Sequence, residues 1–261
     1  MAEVHNVYGT LEARATYEAL RAAAPERRPF LLGRAAYAGL GRWAAAWTGD
    51  SPSTWDGLRQ VLPMLLGMGL SGEPFVGSDV GGYSGGPGPE LFARWLAVGV
   101  VSPFLRNHVT QGTPDQEPWA FGQEVADLGR DLLEWRYAML PYLYTLFAES
   151  AETGAPVLRP MLWEFSDDPA CRRLDDQAML GPWLLVAPLL AEGATARSVH
   201  LPRGRWSEFH SGAAWDGPAT IELDATLAAL PLLVREGAIL PPDLFPGGGP
   251  TALAEFFGDH M

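Results

Sequence analysis

The sequence contains no lysine, so all 18 of its basic residues are arginines. They are outnumbered by 31 acidic residues, which gives a formal net charge of −13, and they are scattered along the chain. A nucleic-acid-binding surface concentrates basic side chains on one face to neutralise phosphates. Both the sign and the distribution of charge therefore argue against a DNA or RNA partner.

Cysteine is nearly absent as well, because Cys171 is the only one. A single thiol cannot form an internal disulfide, and no paired-cysteine spacing of a zinc site exists. This composition is compatible with a reducing compartment, so we expect a cytoplasmic location.

Histidines and acidic pairs give no metal-binding pattern. His5, His200 and His210 have no partner pattern in the sequence, and Asp167–Asp168 and Asp175–Asp176 are typical of solvated turns. We therefore predict neither a metal site nor a cofactor.

Long hydrophobic runs are also missing. No apolar run reaches the ~18 residues of a membrane span, and no charged-then-apolar signal precedes residue 20. Apolar residues nevertheless make up 48% of the chain, which is enough for a substantial core. We expect a globular protein without a membrane partner.

Four short apolar runs are each followed by a charged side chain. Each is bounded by glycine or proline and reads as a buried strand, and the segments between them are long enough for crossover helices. Parallel strands with polar carboxyl ends are typical of one side of a (β/α) barrel, whose chemistry lies at that face. The runs are 28–33 before Arg34, 43–49 before Asp50, 73–78 before Asp79, and 100–105 before Arg106 and His108.

Helical patterns alternate with these runs, at 7–24, 55–69, 89–99 and 121–153. The pattern predicts that the second helix starts near Ser51-Pro52-Ser53 and kinks or breaks at Pro63. Gly154 is expected to end the fourth helix, whose inward residues are predicted as Leu128, Leu132, Trp135, Met139 and Leu140. The glycine-rich segment 81–89 is interpreted as a flexible loop at the rim, with Tyr83 as an aromatic wall.

From Pro156 onward the pattern changes to short strands separated by turns, which indicates an antiparallel β domain. We therefore predict an α/β barrel portion over 1–155, an all-β domain over 156–241, and a tail over 242–261. The predicted strands are 157–158, 161–165, 183–187, 198–201, 220–223 and 231–234, with turns at 202–204, 216–218 and 236–237.

The side chains at the strand ends match the needs of a sugar-cleaving site, which uses two carboxylates, aromatic walls and hydroxyl-binding groups. The candidates are Asp50 and Asp79 as carboxylates, Arg34 and His108 as hydroxyl donors, and Trp43, Trp47 and Tyr83 as walls. Apolar burial beside Trp47 would raise the pKa of Asp50, as a general acid requires.

Each candidate also has a structural interpretation. Asp50 could cap the following helix, Asp79 could pair with Arg106, and Arg34 could belong to a buried salt bridge. His108 and the tryptophans could simply be core residues.

Nine ordered blocks of residues resemble glycoside hydrolase family 31, and together they cover the chain to about residue 241. The blocks are Arg-Pro-Phe-Leu-Leu-Gly-Arg at 28–34, Trp-Thr-Gly-Asp at 47–50, Pro-Met-Leu-Leu at 63–66, Leu-Ser-Gly-Glu-Pro-Phe-Val-Gly-Ser-Asp-Val-Gly-Gly-Tyr at 70–83, Pro-Phe-Leu-Arg-Asn-His at 103–108, Glu-Pro-Trp-Ala-Phe-Gly at 117–122, and the longer segments 136–147, 158–165 and 176–188.

The resemblance implies a retaining exo-acting α-glucosidase that releases terminal α-linked glucose from oligosaccharides without a cofactor. Asp50 matches the family's general acid/base, and Arg34 and His108 match residues that bind sugar hydroxyls in the first subsite. Trp47 and Tyr83 match its aromatic lining, while Asp79 and Arg106 match polar residues beneath it. The implied fold is strands five to eight of a (β/α)8 TIM barrel followed by the proximal C-terminal β-sandwich.

The sequence departs from the family at one essential point. The family's nucleophile is an aspartate in a Trp-(Asn/Thr)-Asp-Met-Asn-Glu-like motif at the fourth barrel strand, which should precede Val4–Gly9 but is not present. We expect this chain to be the carboxyl part of a longer enzyme, inactive alone or dependent on the missing N-terminal half. The alternatives are a non-catalytic carbohydrate-binding or structural piece, or an α-xylosidase or transglucosidase of the same family.

Overall fold

The computed structural model describes residues 2–224, 226–227, 230–241 and 244. A 3-10 segment, Ala2–Val7, leads into helix α1, Tyr8–Ala23, which agrees with the predicted first helix. Among the described residues, no helix combines the length and the apolar character needed to cross a membrane.

Three of the four predicted strands form a parallel sheet. They are β1 (Leu32–Gly33), β2 (Ala45–Trp47) and β3 (Val76–Gly77), in the spatial order β1-β2-β3. The register pairs Leu32 with Ala45 and Ala46 with Val76. Neighbouring parallel strands bring their carboxyl ends to one edge, so the polar residues that follow them are adjacent.

Helix α2, Trp55–Leu70, follows β2 and agrees with the predicted pattern 55–69, but its cap lies elsewhere than predicted. Its N-cap is Thr54, whose hydroxyl accepts a hydrogen bond from the Gly57 amide at 3.0 Å. Pro52 instead forms a parallel bridge with Ser84, so the predicted helix start near Ser51 is wrong. The predicted break at Pro63 is also wrong, because α2 continues through it. The buried face agrees with the prediction: Leu58, Val61, Leu62, Leu65 and Leu66.

The fourth predicted strand is not a strand. Val100 and Val101 are instead the last residues of helix α3, Pro89–Val101, and both are fully buried. The chain beyond Pro103 does run beside β3, with the Phe104 amide donating to the Val76 carbonyl at 3.1 Å and a single bridge between Asp79 and Arg106. This close approach needs a glycine, since a Cβ on Gly77 would lie 1.9 Å from the Phe104 carbonyl oxygen.

Helix α4, Gln123–Thr153, follows a short 3-10 segment, Pro118–Phe121. It ends as predicted at Gly154, which adopts φ 78° and donates its amide to the Ser150 carbonyl at 2.9 Å. Leu128, Leu132 and Met139 are buried as predicted. Leu140 is exposed, so its predicted inward position is wrong.

The described chain after α4 contains β4 (Leu158–Pro160), helix α5 (Met161–Glu164), β5 (Ala178–Leu180), β6 (Leu184–Val186), β7 (Ala196–Glu208), β8 (Ala214–Asp224) and β9 (Leu232–Arg235). The strands form one six-stranded antiparallel sheet in the order β4-β5-β6-β9-β7-β8. The described part of the chain therefore shows a β domain, but not the second sheet of the predicted sandwich.

Two predicted turns lie inside long strands. The Pro202-Arg203-Gly204 segment is a bulge in β7, where the register shifts between Leu201 and Gly204, and the 216–218 segment lies within β8. The hairpin turn between these strands is at residues 209–213 instead. The predicted strand at 161–165 is mostly helix α5, and β5 was not predicted.

One hydrophobic cluster joins the barrel portion to the β domain. It contains Leu58 and Leu62 from α2 together with Leu180, Val186 and Val234 from the sheet. The two predicted domains therefore share a continuous core.

Candidate functional site

Asp50 lies at the carboxyl end of β2 and contacts Arg34, which follows the neighbouring β1. The Arg34 Nη1 and Asp50 Oδ2 atoms are 3.2 Å apart, and both side chains are open to solvent, at 63% and 42% exposure. Arg34 is thus not part of a buried salt bridge, and Asp50 does not cap α2 because Thr54 does. The predicted burial of Asp50 beside Trp47 is wrong, since the carboxylate is exposed.

Asp79, after β3, lies in the opposite environment. Its side chain is fully enclosed, and its Oδ1 accepts a hydrogen bond from Arg106 Nε at 2.8 Å. Burial raises the pKa of Asp79, against the opposing hydrogen bond and charge of Arg106. The charge of His108 also lowers this pKa and that of Asp50 raises it, so both groups lie within electrostatic reach of Asp79.

Trp47, the last residue of β2, packs against the Arg106–Asp79 ion pair. The Arg106 guanidinium carbon lies 4.7 Å from the centroid of the Trp47 ring, which is a cation–π distance. The structural interpretation of Asp79 as a partner of Arg106 is therefore correct as a contact. The same contact places Arg106 between the ends of β2 and β3.

Tyr83 and His108 form a second aromatic contact at the same edge. Their ring centroids are 5.5 Å apart with planes tilted by 31°. His108 is exposed, so the interpretation of it as a core histidine is wrong. The Tyr83 amide donates to the Ser51 carbonyl at 2.7 Å, and the Tyr83 carbonyl accepts from the Thr110 amide at 2.9 Å. The loop predicted to be flexible is thus tied to both neighbouring segments.

Trp43 does not belong to this site. It precedes β2, on the side away from Asp50, and packs against Tyr17 of α1 with ring centroids 5.5 Å apart. Arg14 also lies over its ring at 5.7 Å. Of the aromatic walls that the sequence offers, only Trp47 and Tyr83 are at the polar edge.

Gln116 is a residue that sequence reasoning missed. It is buried, and its Nε2 donates to the carbonyls of Val80 at 2.6 Å and Gly82 at 3.2 Å. The same atom contacts Asn107 Oδ1 at 3.2 Å, while Asn107 Nδ2 donates to the Gln116 carbonyl at 2.7 Å. Gln116 lies in an irregular polar segment, so no periodic signal could have revealed its role in holding the Tyr83 loop.

The arrangement places all seven predicted site residues in three contacting groups, and the charges of Asp50 and His108 both act on Asp79. Arg34 contacts Asp50, Trp47 contacts Arg106 and through it Asp79, and Tyr83 contacts His108. Two buried polar atoms of this set, Asp79 Oδ2 and Trp47 Nε1, have no hydrogen-bond partner among the described residues. An exposed carboxylate with cationic and aromatic neighbours can bind a polyhydroxylated ligand and exchange a proton with it.

Comparison with known proteins covers almost the whole chain. The model for the TIM-barrel domain of glycosyl hydrolases family 31 matches residues 1–146, and the model for the family 31 C-terminal domain matches residues 154–240. The α-glucosidase 2 of Bacillus thermoamyloliquefaciens is 41% identical over 238 residues, which are 91% of this chain and 30% of that protein.

Solved structures show the same relationship. A Flavobacterium johnsoniae family 31 dextranase complexed with glucose superposes with a TM-score of 0.87 at 35% identity, over 91% of this chain and 31% of that one. A family 31 α-xylosidase from a soil metagenome, complexed with xylose, gives a TM-score of 0.86 at 33% identity, over 91% of this chain and 39% of that one. The chain thus spans about a third of the length of the relatives it matches, and it belongs to glycoside hydrolase family 31.

Proposed function

We propose that this chain supplies the acid/base side of a retaining exo-α-glucosidase site. The observation that carries the proposal is the contrast between an exposed Asp50, paired with Arg34, and a fully enclosed Asp79 at the next strand end. Its support is the family membership, together with the α-glucosidase activity for which the Bacillus relative is named.

In this proposal Asp50 donates a proton to the glycosidic oxygen as the bond to the anomeric carbon breaks. The resulting carboxylate then takes a proton from the water that releases glucose. Arg34, 3.2 Å from Asp50 Oδ2, holds the carboxylate in place. A retaining site places the second carboxyl group ~5–5.5 Å from the first, on the other side of the anomeric carbon.

Asp79 does not fit the role of that second carboxyl group. A nucleophile must reach the anomeric carbon, but the Asp79 side chain has no exposed surface and its Oδ1 is bound to Arg106. We therefore propose that the nucleophile comes from residues outside these 261, in a missing N-terminal half. In that assembly β1, β2, β3 and the segment ending at Arg106 would be barrel strands five to eight.

The other side chains have proposed roles in holding the glucosyl ring. Arg34 and His108 donate hydrogen bonds to its hydroxyls, and Trp47 and Tyr83 pack against its apolar faces. Asp79 and Arg106 form the floor of this subsite. The likeness to a xylose-bound structure supports one alternative, an α-xylosidase, whose substrate lacks the glucose hydroxymethyl group.

The absence of a second free carboxylate among the described site residues supports the other alternative, a piece that binds sugar without turning it over. Azide can distinguish a glycosidase that lacks its nucleophile from a piece that only binds sugar, because this anion can replace a missing carboxylate nucleophile. Azide attacks the anomeric carbon of 4-nitrophenyl α-glucoside from the opposite face, the bond to the nitrophenyl oxygen breaks, and Asp50 protonates that oxygen. We expect no nitrophenol release in buffer alone and azide-dependent formation of β-glucosyl azide.

The Asp50→Asn variant tests the acid role directly. It should lower azide-dependent cleavage of an alkyl α-glucoside, whose alkoxide is a poor leaving group, by about 10²–10⁴-fold, the usual contribution of a general acid. It should slow the reaction of α-glucosyl fluoride much less, because fluoride needs no proton to leave. The matched control is Asp216→Asn, which removes an exposed carboxylate paired with Arg205 in the β domain.

Three results would contradict the proposal. Hydrolysis by the wild-type chain in buffer alone would show that no nucleophile is missing. Glucose binding without any azide-dependent product would favour the non-catalytic reading, and faster turnover of the α-xyloside would favour the xylosidase.

A further inference from the structure

The β domain brings together three side chains that the sequence places far apart. Asp168 and Cys171 lie in the turn after α5, and His200 lies on β7. From sequence, Asp168 is predicted to be a solvated turn residue and His200 to have no partner. In the structure His200 Nε2 lies 2.8 Å from Asp168 Oδ2, which corrects both interpretations.

The three donor atoms form a compact triangle. The Asp168 carboxylate oxygen, the Cys171 Sγ and the His200 imidazole nitrogen all lie within 4.8 Å of one another. Cys171 is fully buried, while Asp168 and His200 each keep a small exposed fraction. The triangle thus has a closed side toward the core and a side that solvent can reach.

Neighbouring groups hold the triangle in place. Asp168 Oδ1 accepts a hydrogen bond from the Ala170 amide at 2.9 Å, which fixes the carboxylate. Gln177 accepts from the His200 amide and donates to the His200 carbonyl, at 3.0 Å and 2.8 Å, which fixes that segment of β7. Such outer contacts are what orients the ligands of a metal site.

We propose that Asp168, Cys171 and His200 bind a Zn²⁺ ion, with water as the fourth ligand. One oxygen, one sulfur and one nitrogen donor is a set that zinc accepts in tetrahedral geometry. Bonds of about 2.0–2.3 Å would separate the ligand atoms by roughly 3.3–3.8 Å. The His200–Asp168 pair must therefore open slightly and the widest pair must close, within the reach of side-chain rotations.

A reactive-cysteine interpretation fits the site less well. Burial, together with the neighbouring Asp168, raises the pKa of Cys171 to about 12, so the free thiol stays protonated and is a poor nucleophile. Zinc binding replaces that proton: the Cys171 S–H bond breaks, the S–Zn bond forms, and one proton leaves to solvent. His200 binds as the neutral imidazole with its proton on Nδ1.

Cobalt titration of the metal-free 261-residue chain tests the proposal without any activity assay. Tetrahedral Co²⁺ bound to a thiolate gives visible d–d bands and a near-ultraviolet charge-transfer band. We expect both to saturate at one equivalent and to disappear when Zn²⁺ is added, because zinc binds such a site more tightly than cobalt.

Variants identify the ligands. Cys171→Ser should abolish the charge-transfer band, and His200→Gln should weaken cobalt binding by more than the about 10–100-fold typical of losing an outer-shell partner. The matched control is His210→Gln, which removes an exposed histidine of the same domain. If Cys171→Ser does not fold by circular dichroism, Asp168→Asn replaces it in the series.

The proposal is overturned if the wild-type chain shows no charge-transfer band. It is also overturned if the d–d bands persist in the ligand variants, which would indicate an adventitious ion only.

Discussion

Asp50 and Asp79 are the same residue type at equivalent strand ends, and their surroundings give them different chemistry. Asp50 is open to solvent beside Arg34, so it can meet a ligand. Asp79 is enclosed beside Arg106, so it can form part of the floor of a pocket but cannot contact a ligand directly. The division of roles follows from burial, which the sequence did not reveal.

The raised pKa of Asp79 leads to a prediction about stability and pH. Its folded pKa lies above the unfolded value of about 3.9, so the folded state binds the proton more tightly. The ionised carboxylate then costs folding free energy at neutral pH, and this cost is relieved as the pH falls through the folded pKa toward 3.9. Asp79→Asn removes this titration and keeps the shape. Urea unfolding at pH 7, 6, 5 and 4 should show the wild type gaining stability relative to the variant on acidification.

The control for this prediction is Asp127→Asn. Its hydrogen bonds to Gln123 and Arg130 lower the pKa of exposed Asp127, so any effect should have the opposite sign and be small. A wild type that loses stability relative to Asp79→Asn between pH 7 and 4 would show that Arg106, rather than burial, dominates.

The site residues could be located from sequence because each follows a short apolar run, and residues in that position meet at one sheet edge. Their burial and partners could not be predicted. Asp50 has Trp47 three residues before it, yet its side chain is 42% exposed. His200 contacts Asp168, which lies 32 residues earlier in the chain, only because the folded sheet brings their two segments together.

At the scale of elements, the Tyr83 loop depends on a residue from another segment. Gln116 donates from one nitrogen to two carbonyls of residues 80 and 82 and contacts Asn107. Gly81 allows the approach of Gln116, since its φ is 82° and a Cβ there would lie 2.7 Å from Gln116 Nε2. The loop is therefore held at its base by a buried amide and along its length by backbone bonds.

This gives a prediction for Gln116→Leu, which keeps the volume and removes the donors. The carbonyls of Val80 and Gly82 lose their side-chain partner. Each lost hydrogen bond should lower the stability of the closed loop by roughly 1 kcal/mol. Local opening should become about 10–100-fold more frequent. Hydrogen–deuterium exchange of residues 80–86 should rise accordingly, and azide-dependent turnover should show a raised KM.

Gln123→Leu is the matched control, because Gln123 is exposed on α4 and bonds only to Asp127 among the described residues. It should leave exchange in the Tyr83 loop unchanged. Equal exchange in Gln116→Leu and wild type would mean that the backbone bonds of Tyr83 alone hold the loop.

Helices were more predictable than strands. Residues 55–69, 89–99 and 121–153 carry a clear apolar periodicity, and helices cover the first two ranges fully and the third from Gln123. The apolar run 100–105 is compatible with both a helix and a strand. Its first two residues extend helix α3, where Val100 is buried in the core. Proline and glycine in β7 and β8 locally predict turns. The strands nevertheless continue through these residues, because cross-strand pairs such as Trp206 with Trp215 stabilise them.

At the scale of the whole molecule, the barrel portion and the β domain are joined by more than their shared core. Arg94 of α3 is almost fully buried and donates to the carbonyls of Ala194 and Thr226, both at 2.9 Å. Glu90, one turn earlier, accepts from the Gly193 amide at 2.9 Å. These contacts fasten a barrel helix to segments flanking β7 and β8.

We therefore predict that the described parts unfold in one cooperative transition, and that Arg94→Met lowers its free energy without splitting it. The variant keeps the apolar stem and loses two charged hydrogen bonds and the ion pair with Glu90, partly offset by the relieved burial of the guanidinium, for a net cost of roughly 2–3 kcal/mol. Urea unfolding followed by tryptophan fluorescence and by far-ultraviolet circular dichroism should give coincident midpoints in both proteins. Arg130→Met, which breaks only an exposed pair with Asp127, should change the free energy by less than about 1 kcal/mol. Two separate midpoints in the wild type would contradict the prediction, because a core that includes Leu58 and Leu180 in one cluster cannot lose one side and keep the other intact.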